Sequence, residues 1–392
     1  MRFVHTSDWH LGRGFHGAGL RDAQEAYLDH LVELVRSESV DAVLVSGDVY
    51  DRALPAPDTV ALLSEALTRL VDAGAQVVLS SGNHDSAIRL GFAASLLERS
   101  GLHIRSAVAD IGRPVLVDGV AIQPIPYLEP SQVAAALGTD DRTHAGVLRA
   151  AMARVAADTA ARGLPTVVMA HAFVTGAAPS DSERDITAGG VSGVHPSVFA
   201  GATYAALGHL HRPQQVGEGM HYSGSPVAMS FSEAGHTKSS LVVTVEGGAV
   251  RSMETVPAPV DRPLAVVRGT LEDVLVDPRH TAAESAWVRA VLTDATRPAG
   301  AMDRLRRRFP HCVDLAFEPL GAPVDVRTYA ARLRQSRSEI DVCCDFLAHV
   351  RGGHLPDAAE RALVTEAVEA TRLEQADVDD RVPVADRASG AA

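Results

Sequence analysis

Five short polar motifs constrain this chain most, because each directly follows an apolar stretch that predicts a β-strand. Together they carry four carboxylates, one amide and five imidazoles. Their sequences are Asp8-Trp9-His10, Gly47-Asp48-Val49-Tyr50-Asp51, Gly82-Asn83-His84-Asp85, His171 and Gly208-His209-Leu210-His211. Loops at the carboxyl ends of parallel strands converge in one crevice. We therefore expect these side chains to form a single site.

Strand and helix periodicities alternate along the first 125 residues or so. The predicted strands are Arg2–Thr6, Asp41–Ser46 and Ala75–Ser80, and the predicted helices are Leu20–Ser37, Asp58–Ala73 and Ile88–Arg99. This alternation predicts a parallel sheet with helices on its faces. Later strands end at His171 and at Gly208, and a hairpin signal, Gly247-Gly248, joins two more. The pattern as a whole predicts two packed sheets with outer helices.

Composition sets broad limits on the class of protein. A hydrophobic content of 46% is ample for a buried core, and 392 residues predict two or three domains. The net charge of −13 argues against coating nucleic acid by global electrostatics, although a local patch or bound cations would still allow a nucleic-acid substrate. We find no signal peptide, membrane-spanning run, zinc-type cysteine spacing or disulfide framework, so we expect a soluble, intracellular protein.

The motifs taken together suit a pair of divalent metal ions. Carboxylate, imidazole and amide ligands favour manganese, iron, zinc or magnesium over metals that prefer thiolates. Taken singly, each motif has a simpler interpretation: Gly-Asp-x-x-Asp is usually a turn, and His171 alone would be a hydrogen-bonded strand-end histidine. Their joint occurrence favours two metals roughly 3.5–4 Å apart, with Asp48 as the bridging carboxylate. Such a site predicts in-line hydrolysis of a phosphate ester.

These motifs resemble those of the calcineurin-like metallophosphoesterases. Longer stretches, at Ser46–Arg52, Ser81–Ser86, Ala206–Gln214, Tyr222–Pro226 and Ser230–His236, are similar to the SbcD-type nucleases, the bacterial relatives of the Mre-type repair nucleases. The resemblance implies a four-layer α/β/β/α sandwich with a small α+β capping domain and a C-terminal helix–loop–helix. We accordingly expect a nuclease domain at residues 1–258, the capping domain at 259–325, a linker and helix–loop–helix at 326–375, and a disordered tail at 376–392.

The resemblance also implies a role for each motif residue. One metal would be held by Asp8, His10, Asp48 and His211, and the second by Asp48, Asn83, His171 and His209. His84 would hold no metal, and would either protonate the leaving oxygen or stabilise charge in the transition state. Asp85 would orient His84 through a hydrogen bond, although capping of the following helix is an equally good interpretation. Archaeal and eukaryotic relatives have a histidine in place of Asp51, so the role of that histidine does not transfer.

The activity and partners that the resemblance implies are specific. It implies manganese-dependent 3′ to 5′ exonuclease action on duplex ends and endonuclease action on hairpins and single strands, in DNA repair, recombination and replication. The implied partners are DNA, a second copy of the chain, and the SMC-like ATPase SbcC, together forming a heterotetramer. The implied location is the cytoplasm, in association with the nucleoid and not with a membrane.

The sequence beyond Pro257 bears on those partners. Apolar positions on the predicted helices Ser338–Val350 and Ala358–Leu373 either pack on the chain's own core or dock on a partner helix, which by resemblance is the coiled coil of SbcC. The run Arg304–Arg308 suits either phosphate contact or a solvated helix face. A second basic stretch, formed by Arg327, Arg332, Arg334 and Arg337, suits either DNA contact or a linker.

Two other functions are compatible with the motifs. One is that of another calcineurin-like phosphodiesterase or phosphatase, although such enzymes usually lack a C-terminal region like this one. The other is a non-catalytic scaffold of the same fold, which predicts substituted metal ligands. Here every matched ligand position keeps its ligand residue, which disfavours the scaffold.

Overall fold

The structure, a computed structural model, describes residues 1–183, 193–320, 339–351 and 354–379. The chain divides into two compact units, residues 1–292 with 298–316 and residues 293–297 with 317–392. The basic stretch from Arg327 to Arg337 and residues 380–392 of the predicted tail lie outside the described residues. No helix in the described part of the chain is long and apolar enough to cross a membrane.

The described strands and helices follow the predicted order. The strands are β1 (Arg2–Thr6), β2 (Gly14–Phe15), β3 (Ala18–Gly19), β4 (Ala42–Ser46), β5 (Gln76–Ser80), β6 (Leu102–Arg105), β7 (Val115–Val117), β8 (Val120–Ile125), β9 (Thr166–His171), β10 (Tyr204–Gly208), β11 (Gln214–Gly217), β12 (Met220–Tyr222), β13 (Ser239–Glu246), β14 (Ala249–Pro257), β15 (Leu264–Gly269), β16 (Trp287–Leu292) and β17 (Cys312–Phe317). The helices are α1 (Arg21–Ser37), α2 (Pro57–Asp72), α3 (Ala87–Leu90), α4 (Ala94–Leu97), α5 (Pro130–Leu137), α6 (His144–Arg162), α7 (Leu271–Val276), α8 (Ala301–Arg308), α9 (Glu339–Val350) and α10 (Ala358–Asp379).

Two six-stranded sheets form the centre of the first unit. The first has the order β14-β13-β1-β4-β5-β6, and the second has the order β11-β12-β10-β9-β8-β7. Strands β1, β4, β5 and β6 run parallel, as do β8, β9, β10 and β12. Antiparallel pairing involves β13 and β14 at one edge of the first sheet, and β7 and β11 at the two edges of the second. Parallel strands end on the same side, so the loops after β1, β4, β5, β9 and β10 can gather at one site.

Three apolar clusters hold the layers together. Phe3, Leu44 and Leu241 from the first sheet pack against Met169 and Tyr204 from the second, so the two sheets meet face to face. Helices α1 and α2 cover the first sheet, and α5 and α6 cover the second. Burial of these apolar side chains is the main stabilising contribution to such a stack. The predicted α/β sandwich, with helices outside two sheets, is confirmed.

The helix predicted over Ile88–Arg99 is broken. It forms α3, α4 and a final 3₁₀ turn at Glu98–Ser100. The break falls at Ala93, whose φ of 58° lies in the left-handed region that a continuous right-handed helix excludes. Three large apolar side chains along this segment, Ile88, Phe92 and Leu96, are 88%, 81% and 68% exposed.

A small third sheet follows Pro257. Strands β15 and β16 pair in parallel, β17 joins them, and α7 and α8 complete the predicted strand, helix, strand, helix, strand order. Trp287 packs this sheet onto the first domain through Phe15 and Phe231. The domain boundaries after residues 258, 325 and 375 stay predictions.

Contacts of helix α8 show the surroundings of the Arg304–Arg308 run. Arg304 and Arg308 form ion pairs with Glu272 and Glu284, while Leu305 is buried. These pairs favour a solvated helix face over phosphate contact for this run.

The second unit contains the two predicted C-terminal helices, α9 and α10. Ion pairs of Arg361 with Asp341 and of Arg351 with Glu360 join them. Helix α10 continues to Asp379, so it includes the first four residues of the predicted disordered tail. Ala376 and the Glu-Gln pair before it are good helix formers, and they carry the helix past Leu373.

Candidate metal centre

Backbone hydrogen bonds fasten the first two motif loops to each other. The amide of Asp8 donates to the carbonyl of Gly47, and the amide of His10 donates to the carbonyl of Asp48, both at 3.0 Å. These bonds continue the parallel pairing of β1 and β4 beyond the ends of the strands. The side chains of Asp8, His10 and Asp48 are thereby fixed on adjacent turns.

Tight packing at the site explains two of the motif glycines. A Cβ at Gly47 would collide with the imidazole of His171, and a Cβ at Gly82 would collide with the carboxylate of Asp48. Neither position can carry a side chain without displacing a motif residue. Close approach of backbone to a functional group is a usual reason for glycine at such turns.

The motif backbone is also strained. Asp8, His10, Asp48 and His209 have φ values of 55°, 44°, 49° and 104°, in the region that non-glycine residues seldom occupy. Each such residue costs of order 1–3 kcal/mol, and these residues cluster where the surrounding structure fixes a functional geometry. The strain here coincides with residues predicted to bind metal.

Six of the predicted site residues lie close enough to share metal ions. Among the described residues, three sets of buried side chains bring their ligand atoms within 4.8 Å of one another. The sets are Asp8 with His10 and His211, His10 with Asp48 and His84, and Asp8 with Asp48 and His171. Side chains at or just after the ends of β1, β4, β5, β9 and β10 therefore converge in one cluster.

Asp48 occupies the centre of this cluster. Its Oδ2 lies 3.5 Å from Nε2 of His10 and 3.5 Å from Nε2 of His171. The other oxygen, Oδ1, accepts the backbone amide of His84 at 2.8 Å. Burial would raise the pKa of Asp48, but the imidazoles of His171 and His10 hold it well below the usual range. The carboxylate is therefore ionised, as a ligand must be.

The imidazole of His171 is arranged to face a cation. Its Nδ1 donates to the carbonyl of Ser46 at 3.0 Å, since a carbonyl can only accept. Its Nε2 then faces two acceptors, Oδ1 of Asn83 at 2.9 Å and the Asp48 carboxylate. Burial lowers the pKa of His171, but the Asp48 and Asp8 charges raise it to about 9, so the metal-free ring holds a proton here. A divalent cation can take the place of that proton.

His10 and His211 also point ring nitrogens at a common place where a cation could bind. Their Nε2 atoms lie 3.1 Å apart, and Nδ1 of His211 contacts the hydroxyl of Ser182 at 2.6 Å. Two ligands at right angles around an ion with bonds of about 2.0–2.2 Å would be separated by roughly 3 Å. The donor set and its spacing therefore fit a divalent metal. Burial and the nearby Asp48 raise the pKa of Asp8 to about 6, and a bound cation would reverse that shift.

His209 lies at the edge of the cluster. Its ring centre is 5.4 Å from that of His171, and its amide donates to both oxygens of Asp8 at 3.0 and 3.1 Å. Burial holds the pKa of its imidazole well below the usual value, which leaves the ring neutral. A neutral ring is the form that binds metal.

His84 faces the same cluster from the third loop. Its Nδ1 donates to the backbone carbonyl of Asp51 at 2.8 Å, and its Nε2 lies 4.0 Å from Oδ2 of Asp48. The Asp51 carboxylate lies 3.4 Å from Nδ1 of His10 and 3.2 Å from the guanidinium of Arg13. Asp51 thus orients two motif histidines, one through its main chain and one through its side chain.

Asp85 does not orient His84. Its carboxylate accepts the amides of Val49 at 3.1 Å, Tyr50 at 2.9 Å and Gly82 at 2.9 Å. The helix-capping interpretation does not hold either, because the Ser86 side chain caps α3. A buried carboxylate satisfies unpaired backbone amides before a neighbouring ring, so Asp85 ties the second loop to the third.

Three residues that were not predicted from the sequence support His211. Ser182 contacts its ring, Glu183 accepts its amide at 2.7 Å, and Glu233 accepts the Ser182 hydroxyl. Glu233 belongs to the Ser230–His236 stretch, one of those that resemble the SbcD-type nucleases. The available signal in the sequence was a glutamate two residues after Phe231. A carboxylate that is buried next to an apolar residue needs a specific partner, so it points to a polar contact.

Comparisons with known proteins agree with this site. Residues 1–213 match the family model described as calcineurin-like phosphoesterase. Residues 260–351 match the SbcD C-terminal model, described as Type 5 capsule protein repressor C-terminal domain.

Solved structures also resemble the chain. One, the protein TT1561 of Thermus thermophilus, is 13% identical, with a TM-score of 0.40 over 66% of this chain and 99% of that one. Another, GAP50, the anchor in the inner membrane complex of Plasmodium, is 11% identical, with a TM-score of 0.33 over 83% and 99%.

Proposed function

Because the chain belongs to the calcineurin-like phosphoesterase family, we propose that it is a two-metal DNA nuclease acting on duplex ends and hairpins in repair and recombination. Family membership supports a metal-dependent hydrolase, and the match at residues 260–351 supports an SbcD-type member. The observation that carries the proposal is the position of Asp48, with the imidazole nitrogens of His10 and His171 each 3.5 Å from one oxygen. A carboxylate so placed suits a bridge between two cations.

The ligand set that we propose is the one that the resemblance implies. Asp8, His10, Asp48 and His211 would hold one metal ion, and Asp48, Asn83, His171 and His209 would hold the other. Manganese is the metal we propose, since this mixed oxygen and nitrogen set suits it. Two bound divalent ions lower the pKa of water and offset charge on a phosphoryl group.

The chain's own residues then position the reaction. The Asp51 carbonyl fixes Nδ1 of His84, which leaves Nε2 as the atom that faces the cluster. From there His84 either donates a proton to the leaving oxygen or stabilises charge on the phosphoryl group. Asp85 holds the loop that presents His84, and so acts on it only indirectly.

A DNA hairpin assay tests the substrate class. With Mn²⁺ the full-length protein should cleave a labelled hairpin, both alone and with the partner ATPase, and a chelator should stop cleavage. The alternative, another calcineurin-like phosphodiesterase or phosphatase, predicts hydrolysis of a small aryl phosphate ester while the hairpin stays intact. That second outcome would refute the nuclease proposal.

An exposed apolar surface supports a homodimer. Leu54, Ile88, Phe92 and Leu96 are between 68% and 88% exposed, and a bond from the Arg89 guanidinium to the Ala53 carbonyl joins the two segments that carry them. Clusters of large exposed apolar side chains commonly mark protein interfaces. We propose that two copies meet here, within a heterotetramer with SbcC.

The dimer proposal predicts that one negative charge at the interface prevents dimer formation. Phe92→Glu should convert the dimer to a monomer in analytical ultracentrifugation, because a buried interface does not accommodate an unpaired carboxylate. Leu116→Glu, at a position 54% exposed in β7, is the matched control and should sediment like the wild type. A Phe92→Glu protein that still sediments as a dimer would contradict this interface.

The C-terminal helices support docking on the coiled coil of SbcC. Leu363 on α10 is 65% exposed, and Val350 and Leu355 are also largely exposed. Two helices alone bury little apolar surface, and an amphipathic helix commonly docks in this way.

Removal of residues 338–392 should abolish ATPase binding in a pull-down and leave cleavage of single-stranded DNA intact. In the full chain, Leu363→Glu should weaken binding at least about tenfold. Ala362→Glu, one residue and about 100° around the helix, serves as the control. Unchanged partner affinity in the truncated protein would refute the assignment.

A further inference from the structure

Lys238 is the only lysine in a chain that has 36 lysine and arginine residues. It is buried, with 5% of its surface exposed, and it directly precedes β13. The ammonium group of lysine is compact and carries three donors, whereas the guanidinium of arginine is planar and larger. The contacts of Lys238 show what those donors do.

The ammonium group of Lys238 has three polar partners near His211. Its Nζ donates to the His211 carbonyl at 2.9 Å and to the Ser225 hydroxyl at 2.9 Å, and it forms an ion pair with Glu233. Neither charged group of the pair is more than slightly exposed. Loss of one partner would leave the other charge buried and unpaired, which is strongly destabilising.

Glu233 is connected to the ring of His211 through the hydroxyl of Ser182. A carboxylate only accepts, so the Ser182 hydroxyl donates to Oε1 of Glu233 and accepts from Nδ1 of His211, at 2.6 Å. Nδ1 of His211 is thereby fixed as a donor, and Nε2 is the ring atom that faces His10. Hydrogen bonds of this kind set the tautomer and orientation of a metal-binding histidine.

The main chain of His211 is fixed by the same group of residues. Lys238 and the Ser225 amide bind its carbonyl, and Glu183 accepts its amide at 2.7 Å. Every polar group of this residue therefore has a defined partner, and Nε2 faces His10. We propose that Lys238, Glu233 and Ser182 form a positioning relay that prepares His211 to bind one of the two metal ions.

The relay rests on the proposed function, because it assumes that His211 is a metal ligand. It predicts a selective defect: only the ion bound by His211 should be affected, while the other site keeps its affinity. Loss of a partner that orients a ligand typically costs 10–100-fold in metal affinity.

Isothermal titration of the full-length protein with Mn²⁺ tests this. Ser182→Ala, which keeps the buried ion pair, should weaken one of the two binding events about 10–100-fold and leave the other unchanged. Lys238→Met, which has a similar length and no charge, should do the same and also lower the melting temperature. Cleavage by the Ser182→Ala protein should recover at saturating Mn²⁺, because the relay does not touch substrate.

A control and two outcomes separate the possibilities. Ser131→Ala removes an exposed hydroxyl that also bonds to a glutamate, Glu129, at 3.2 Å, and both binding events should persist. If Ser182→Ala and Lys238→Met change the melting temperature but neither binding event, the residues are merely structural and the relay is refuted. If the wild type binds no Mn²⁺ at all, the proposed function itself has failed.

Discussion

Asp48→Asn is expected to abolish divalent-metal binding and phosphodiester hydrolysis together. Asp48 brings one carboxylate oxygen within 3.5 Å of two imidazoles, and the neutral amide has neither the charge nor the second oxygen that a bridge requires. Replacing residues that only orient a ligand costs 10–100-fold in affinity, so loss of the bridge should exceed about 100-fold. Mn²⁺ titration and the hairpin assay measure the two effects.

The variant should keep its fold. Oδ1 of Asp48 accepts the His84 amide, and an asparagine Oδ1 can accept the same bond. Asp29→Asn makes the same chemical change on the exposed face of α1, where the carboxylate is 63% exposed, and should leave both measurements unchanged. An Asp48→Asn protein that binds two Mn²⁺ ions with wild-type affinity would remove the basis for the two-metal proposal.

His84→Ala is expected to separate metal binding from chemistry. The ring faces the cluster through Nε2, and loss of a general acid or of transition-state stabilisation there should lower the cleavage rate about 10²–10⁴-fold. Both Mn²⁺ ions should still bind, because the proposed ligands are untouched. Titration and single-turnover cleavage of the hairpin, measured on the same preparation, test both parts.

The structure sharpens this test, since His84 also lies in a set with His10 and Asp48 that could hold an ion. Loss of one Mn²⁺ ion in His84→Ala would make His84 a ligand and overturn its assignment to chemistry. His280→Ala, in the 3₁₀ segment Pro278–Ser285, is the control for removal of a histidine and should cleave normally.

The sequence was sufficient to predict the layers and the convergence of the motifs. Asp8 and Asp48 follow short apolar strands, and strand direction alone brings such positions together. The partners of Asp85 could not be predicted, because proximity to His84 in sequence does not reveal the unpaired amides of Val49 and Tyr50. Those amides belong to a loop more than thirty residues away.

A long-range set of contacts and one local backbone conformation account for the other differences. Ser182 lies 29 residues from His211 and 51 residues from Glu233 in the sequence, separations at which periodicity carries no information. The broken helix at Ala93 depended on one left-handed backbone conformation, which alanine seldom adopts and which propensity therefore does not predict.

The burial of Lys238 also gives the protein an unusual chemical property. With one lysine in the chain, and that one 5% exposed, an amine-selective reagent finds no accessible ε-amine on the folded molecule. Modification of this side chain requires the structure around it to open locally, so its rate reports the free energy of that local opening. A ligand that binds only the closed form slows the labelling in proportion to its occupancy. The single ε-amine of the chain therefore serves as an intrinsic probe of the free energy that holds this region closed.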